Sequence, residues 1–189
     1  RGRARMRTVY AVYLGLGSNL GDRLAHLRAA LAAVAALAPV VAVRRVSAVY
    51  DTAPQLVTDQ PRFLNAAVMA ETTLEPLALL RAVKAIEQQL GRVAGPRYGP
   101  RVVDIDLLLA DGVTLATAEL TLPHPRLAER AFALVPLAEI APDARHPLLG
   151  QSVAELAAAL GQAGDIQRLG PLADSGSIPY NTGDPGPNP

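Results

Sequence analysis

Arg97-Tyr98-Gly99-Pro100-Arg101-Val102-Val103-Asp104-Ile105-Asp106-Leu107-Leu108-Leu109 is the stretch on which the fold turns. Residues 102–109 are β-branched and aliphatic and are entered through a Gly-Pro turn, which predicts a buried strand. Asp104 and Asp106 interrupt it. Residues i and i+2 of a strand share a face, so the two carboxylates point the same way, with Ile105 and Leu107 opposite. Two like charges side by side in an apolar strand repel and lose hydration unless a cation sits between them. A hard divalent ion answers that need, and Mg²⁺ suits two carboxylates completed by water and phosphate oxygens. Arg101 stands just before the strand, placed to meet an anion arriving at that ion. A sheet rim whose two Asp side chains simply face water accounts for the same spacing.

Working outward, the segments before this strand fall into a repeating order. Residues 8–16 read as a first strand, broken by Gly17-Ser-Asn-Leu-Gly-Asp22. Residues 22–38 carry Leu24, Leu27, Leu31, Val34 and Leu37 at helical spacing and stop at Pro39. Residues 40–50 form a second strand, and the loop 51–61 is too long for a hairpin turn and therefore suspect as functional. A third strand at 63–73 puts Phe63, Asn65, Ala67 and Met69 on one face, and a helix runs from about 75 to 90, ending at Gly91. Arg92, Arg97 and Arg101 lie in the Gly- and Pro-rich loop 91–101, read as flexible and basic and expected to order when nucleotide binds. The order β-α-β-β-α-β predicts an α+β, ferredoxin-like core: an antiparallel sheet with helices packed on it.

After the acidic strand, Asp111-Gly112 turns the chain and 113–122 adds a strand or hairpin. His124 is held between Pro123 and Pro125, residues 127–140 read as a short helix bent at Pro136, and 151–160 as another, giving a C-terminal strand/helix extension. Residues 6–170 are expected to form one domain. Residues 171–189 hold five Pro and three Gly and read as a flexible tail. The five residues before Met6 are left out of the fold.

Composition narrows the function. Half of the 189 residues are apolar and 19% are charged, a globular balance. Formal charge is +1, with 17 Arg and one Lys, so a broad nucleic-acid footprint is not expected and any basic site is local. Without cysteine, disulfides and thiolate metal sites are impossible. No apolar run approaches the roughly 20 residues that span a bilayer, and no signal peptide is recognisable. A cytoplasmic protein without membrane attachment is expected, acting as a monomer.

Four blocks beside the acidic strand now bear on function. Gly15-Leu-Gly-Ser-Asn-Leu-Gly21, Phe63-Leu-Asn-Ala-Ala67, the opening stretch, Leu122-Pro-His-Pro125 and Arg130-Ala-Phe132 together resemble the 6-hydroxymethyl-7,8-dihydropterin pyrophosphokinase family, in that family's order over about residues 8–150. The resemblance implies transfer of pyrophosphate from ATP to the pterin hydroxymethyl group, leaving AMP, in folate biosynthesis. It implies two Mg²⁺ ions held by Asp104 and Asp106, with Arg92 and Arg101 as catalytic arginines. ATP would be contacted by Arg101, His124 and Arg130 at its phosphates, by Leu107, Leu120 and Thr121 near adenine or ribose, and by Tyr98 and Glu87. An ion pair of Glu87 with Lys84 at the surface fits equally, as does a structural His124 bonded to a loop carbonyl, or a solvated loop for Arg92 and Arg97.

The pterin needs flat walls and an edge reader. Phe63 and Phe132 can sandwich a ring, and stacking is worth roughly 1–3 kcal/mol per face by analogy with bases. Asn65 offers a donor and an acceptor, while Thr52, Ala53, Pro54 and Gln55 would close the pocket. Both Phe side chains could instead serve the core. Gly17, Ser18 and Asn19 are read as a shape-setting turn near this pocket, because the full Walker pattern is absent.

The chain departs from its relatives at Ala53 and Gln55, at Phe63 for the common Tyr, at Tyr98 for the common Trp, and at Ala94 for a basic residue. These changes touch the pterin loop and the phosphate contacts of the basic loop. Two other functions share the scaffold: a ferredoxin-like small-molecule-binding module, which has no need of the acid pair, and a Mg²⁺-dependent phosphotransferase with another acceptor.

Overall fold

The computed structural model describes residues 8–95, 99–161 and 165–173. Its centre is β1 (Tyr10–Ser18), which is antiparallel to β4 (Phe63–Thr72) on one side and to β5 (Asp104–Ala110) on the other. β2 (Val41–Val46) and β3 (Ala48–Thr52) both pair with β4, and β8 (Ile166–Pro171) closes the far edge against β3. The sheet order β5-β1-β4-β3-β8 makes the acidic strand an edge strand. β6 (Leu115–Ala116) and β7 (Thr121–Leu122) form the small hairpin expected at 113–122.

The run 40–50, expected as one strand, is two. Ser47 interrupts it: its N–H donates to the Ala67 carbonyl at 2.9 Å, and its hydroxyl accepts from the Ala67 N–H at 2.8 Å. A side-chain oxygen thus replaces a backbone acceptor, and the ladder resumes one residue on.

α1 (Arg23–Ala35) begins at Asp22, whose carboxylate accepts from the Ala25 N–H at 3.0 Å. α2 (Pro76–Gln89) starts with Pro76, where no helical N–H partner is needed, and is followed by Gly91 at φ 90°. Both pack on one face of the sheet. Leu27, Leu31 and Val34 of α1 and Leu79, Val83 and Ile86 of α2 meet Val12, Leu14, Leu16, Ile105 and Leu107 there.

The other face is covered by α3 (Ala131–Ile140) and α4 (Val153–Ala159), through Leu134, Leu137, Val153 and Leu156 against Tyr13, Leu108 and Leu109. The expected helix at 127–140 is a 3₁₀ turn, Leu127–Glu129, followed by α3 with Pro136 inside it. Pro136 has no N–H for the Phe132 carbonyl one turn back. α4 opens with a capping box between Ser152 and Glu155. The sheet is therefore the middle of three layers, and Phe132 and Ala133, in the first turn of α3, share a cleft with Gly17 of β1, Asn65 of β4 and Asp104 of β5.

β8 had no counterpart in the sequence pattern. Its anchors are tertiary: Leu172, just beyond it, is 1% exposed in the α1–α2 core, and its carbonyl accepts from Arg28 Nε at 3.0 Å.

Candidate active site

The alternation of β5 places the acids as expected. Ile105 and Leu107 are buried among the helices on one side, and Asp104 and Asp106 face the other. Across the ladder, Asp104 sits opposite Gly17 and Asp106 opposite Gly15. The two glycines leave the floor beside the acids free of side chains. A Cβ on Gly17 would lie 3.0 Å from Asn65 Oδ1, and one on Gly15 would lie 3.3 Å from Leu108 Cδ1. Alanine at either position would press on the floor.

Four cations surround the acid pair. Arg92 Nη1 donates to Asp104 Oδ1 at 2.6 Å and Arg101 Nη1 to Asp104 Oδ2 at 2.7 Å, while Lys84 Nζ stands 3.8 Å from Oδ1. Arg130 Nη1 donates to Asp106 Oδ2 at 3.3 Å. The compensation is uneven. Burial would push the Asp104 carboxyl up, but Arg101, Lys84 and Arg92 hold it below its ordinary range. Burial and the neighbouring Asp104 charge push Asp106 up, against weaker help from Lys84 and Arg130. A charge on Asp106 is thus less well compensated than one on Asp104, the condition a divalent ion relieves. Among the described residues no cluster of three or more His, Cys, Asp or Glu side chains could hold a metal. Two carboxylates on one face fit Mg²⁺ whose remaining positions go to water and substrate phosphate.

Two clefts meet at Asp106. The first, about 190 Å³, lies on the α3 side of the sheet and brings together Thr52, Ala53, Pro54, Gln55, Phe63, Asn65 and Phe132, all seven residues expected at the pterin. Asp104, Asp106, Arg101, His124 and Arg130 close its inner end. Asn65 Nδ2 donates to Thr52 Oγ1 at 2.7 Å. That bond fixes the amide, leaving Asn65 Oδ1 as an acceptor and the Thr52 hydroxyl as a donor side by side. Arg130 Cζ lies 5.5 Å from the Phe132 ring centroid, so a guanidinium covers that ring.

The second cleft, about 270 Å³, opens between α2, the outer edge of β5 and the β6–β7 hairpin. It gathers Leu107, Leu120, Thr121 and His124, four of the residues expected at the nucleotide, and shares Asp106 and His124 with the first cleft. Lys84 also lines it. The sequence reading paired Lys84 only with Glu87; its reach into the cleft depends on how α2 lies along β5.

His124 connects the two spaces. Its N–H donates to the Leu108 carbonyl at 2.8 Å, and its ring Nδ1 accepts from the Arg126 N–H at 3.1 Å. With Nδ1 accepting, the ring proton resides on Nε2, which lies 3.3 Å from Arg130 Nη1. The Nε2–H and the Arg130 guanidinium, which also donates to Asp106, stand side by side there, a seat for an anionic oxygen. Burial, then Arg130 and Arg126, push the imidazole down to about 4, so it is neutral at physiological pH.

Of the two readings of Glu87, the ion pair with Lys84 is present, but buried and not at the surface. Glu87 lines neither cleft, and its carboxylate is 2% exposed. It accepts from the Ile105 N–H at 2.6 Å and from Lys84 Nζ at 2.8 Å, and also from Arg92 Nη1. Lys84 Nζ donates in turn to the Ile105 carbonyl at 3.1 Å. An edge strand exposes unpaired backbone groups, and Glu87 with Lys84 satisfies both of those on Ile105. Arg92 lies on this bracket and on Asp104, outside the cleft linings. Arg97 and Tyr98 fall outside the described residues.

Asn19, in the turn after β1, has a role the sequence hinted at only as shape. Its Oδ1 accepts from the Arg101 N–H at 2.7 Å, and its Nδ2 donates to Gln60 Oε1 and to the Pro61 carbonyl, each at 3.0 Å. One amide ties the arginine loop to the loop over the first cleft.

Comparison with known proteins bears directly on this geometry. The family model of 7,8-dihydro-6-hydroxymethylpterin-pyrophosphokinase (HPPK) matches residues 13–142, the span that carries both clefts. A 2-amino-4-hydroxy-6-hydroxymethyldihydropteridine pyrophosphokinase of Methylorubrum extorquens is 49% identical over 157 residues, 83% of this chain and 97% of its own. The enzyme of the same name from Bacillus subtilis is 47% identical over 128 residues, 68% of this chain and 76% of its own. A crystal structure of a Plasmodium falciparum HPPK-DHPS variant superimposes with a TM-score of 0.68 over 87% of this chain at 15% identity, a likeness of fold; the chain spans 47% of that longer protein. Acid pair, arginines, caged histidine and paired clefts lie inside a match of this extent, and the chain belongs to the HPPK family of pyrophosphokinases.

Proposed function

We propose that the first cleft seats 6-hydroxymethyl-7,8-dihydropterin, that the second seats ATP, and that pyrophosphate passes between them at Asp106 and His124. The observation that carries this reading is the sharing of those two residues by both clefts. An acceptor in one cleft and a triphosphate in the other must meet there.

In the reaction the pterin hydroxymethyl oxygen bonds to the β-phosphorus of ATP. The bond from that phosphorus to the α-β bridging oxygen breaks, AMP leaves, and the hydroxyl proton is lost to solvent. Such a transfer asks the protein mainly for positioning and charge. Asn65 and Thr52 present an acceptor and a donor to the pterin edge, and Phe63 and Phe132 offer ring faces. His124 Nε2–H and Arg130 donate to phosphate oxygens. Arg101, anchored through its own N–H on Asn19, is positioned for the charge that grows on the leaving oxygen. Leu107 lies two residues beyond Ile105 and presents the same outer edge of β5 to the nucleotide base. Asp104 and Asp106 would hold the two Mg²⁺ ions, which when bound neutralise the phosphates and acidify the hydroxyl. Arg92 and Arg101 must then release at least one Asp104 oxygen, and both guanidiniums become available to phosphate.

The same proposal takes residues 6–170 as one catalytic domain; Leu172, just past it, is buried. It takes the enzyme as a cytoplasmic monomer without nucleic-acid or membrane partners. Among the described residues no helix is long and apolar enough to cross a membrane. The test is nucleotide product analysis with dihydropterin and Mg²⁺. AMP with a diphosphorylated pterin is expected; ADP, or nucleotide turnover indifferent to the pterin, would overturn the assignment.

A further inference from the structure

Five residues of the loop 53–62, Ala53, Pro54, Gln55, Leu56 and Gln60, line the first cleft, yet Leu56 is 55% exposed and the loop has little core beneath it. Besides the Asn19 amide at Gln60 and Pro61, a charged network holds its ends and reaches to the start of β8, outside residues 13–142. Arg62 Nη1 donates to Asp165 Oδ2 at 2.5 Å and its Nη2 to the Asp165 carbonyl at 3.1 Å. The Ala53 N–H donates to that same carbonyl at 3.3 Å, so both ends of the loop converge on one residue. Arg62 Nε also pairs with Asp51, which accepts from Arg23 Nη1 at 3.3 Å; Arg23 Nη1 in turn donates to the Arg62 carbonyl at 2.9 Å.

We propose that Arg62 and Asp165 form a latch through which the C-terminal strand sets the shape of the pterin-binding loop, making both positioning residues for the acceptor. This inference rests on the reading of the first cleft as the pterin site. The Asp165 side chain is 74% exposed and that of Arg62 36%, and an exposed ion pair contributes little to global stability. Its leverage is local. It selects one arrangement of a loop that otherwise samples several, and binding weakens by the fraction of chains that lose the competent arrangement. Phe63 and Asn65 follow Arg62 directly on β4, so the latch also bears on where the ring wall and edge reader begin.

Asp165→Ala removes only the carboxylate and keeps both bonds to the backbone carbonyl. Calorimetry with 6-hydroxymethyl-7,8-dihydropterin in the presence of α,β-methylene-ATP and Mg²⁺ should give a pterin Kd raised about fivefold, corresponding to a competent fraction of about one-fifth. The Kd for the nucleotide analogue alone should be unchanged, and Asp165→Glu should restore pterin affinity. Raising the salt should weaken pterin binding in the unaltered chain towards the Asp165→Ala value, with less effect in the variant. An unchanged pterin Kd, or an equal loss of pterin and nucleotide affinity, overturns the latch. If the unaltered chain binds no dihydropterin, the site reading fails, and amide exchange over residues 53–62 then decides the latch separately. Faster exchange in Asp165→Ala supports it; identical exchange overturns it.

Discussion

Replacing Glu87 separates a structural bracket from a nucleotide ligand. In Glu87→Ala the Ile105 N–H loses its acceptor inside the protein, and an orphaned buried donor costs about 1–3 kcal/mol. Breaking a fully buried ion pair would add several kcal/mol more, but Lys84 and Arg92 are 36% and 25% exposed and can rehydrate, so about 1 kcal/mol is a fair addition. The sum, about 2–4 kcal/mol, should lower the melting temperature by about 4–16 °C in a chain of this size. Glu87→Gln keeps an acceptor for the Ile105 N–H and removes a charge that burial already opposes, so it should cost only about 1 kcal/mol. Urea and thermal unfolding of the two variants supply both numbers, and the KM for ATP supplies a third. Equal destabilisation by Ala and Gln would refute the bracket, because the ion pairs and not the backbone bond would then dominate. A glutamine variant of native stability with a sharply raised KM would return Glu87 to the nucleotide.

Three further outcomes are expected. Asp104→Ala and Asp106→Ala should each abolish AMP release while circular dichroism and melting stay native; retained turnover would remove both from the metal site. Arg101→Ala should lower kcat by about 10²–10³, the cost of one lost transition-state donor, with the pterin Kd little changed; an effect confined to KM would place Arg101 in ground-state binding only. His124, pushed down to about 4 in the fold against 6.5 unfolded, binds fewer protons folded than unfolded between those values. Its contribution to stability is therefore full above about pH 6.5 and is lost as the pH falls towards 4. His124→Asn should flatten that part of the stability profile, and an unchanged slope would show that the imidazole is not desolvated.

Much of the site was legible because its signals are local. The two-residue period of a strand puts Asp104 and Asp106 on one side whatever the sheet does next, and the same period joins Phe63 to Asn65. Helical spacing at Leu24, Leu27 and Leu31 and the stops at Pro39 and Gly91 carry α1 and α2. Ser47 was not legible as a break, since a hydroxyl replaces a backbone acceptor only once β4 lies beside it. Nor could the length of the chain between Lys84 and Asp106 reveal that they border one cleft.

The sequence by itself determined the order of elements, the side on which each acid emerges and the placing of His124 in a proline-stiffened turn, because backbone sterics and alternation act over a few residues. Only the tertiary structure decided that Glu87 is buried under the edge of β5, that Asn19 joins Arg101 to Pro61, and that β8 completes the sheet beside the loop 53–62. Those outcomes depend on burial and on which unpaired backbone group lies within hydrogen-bonding reach, quantities that exist only after residues distant in the chain have packed together.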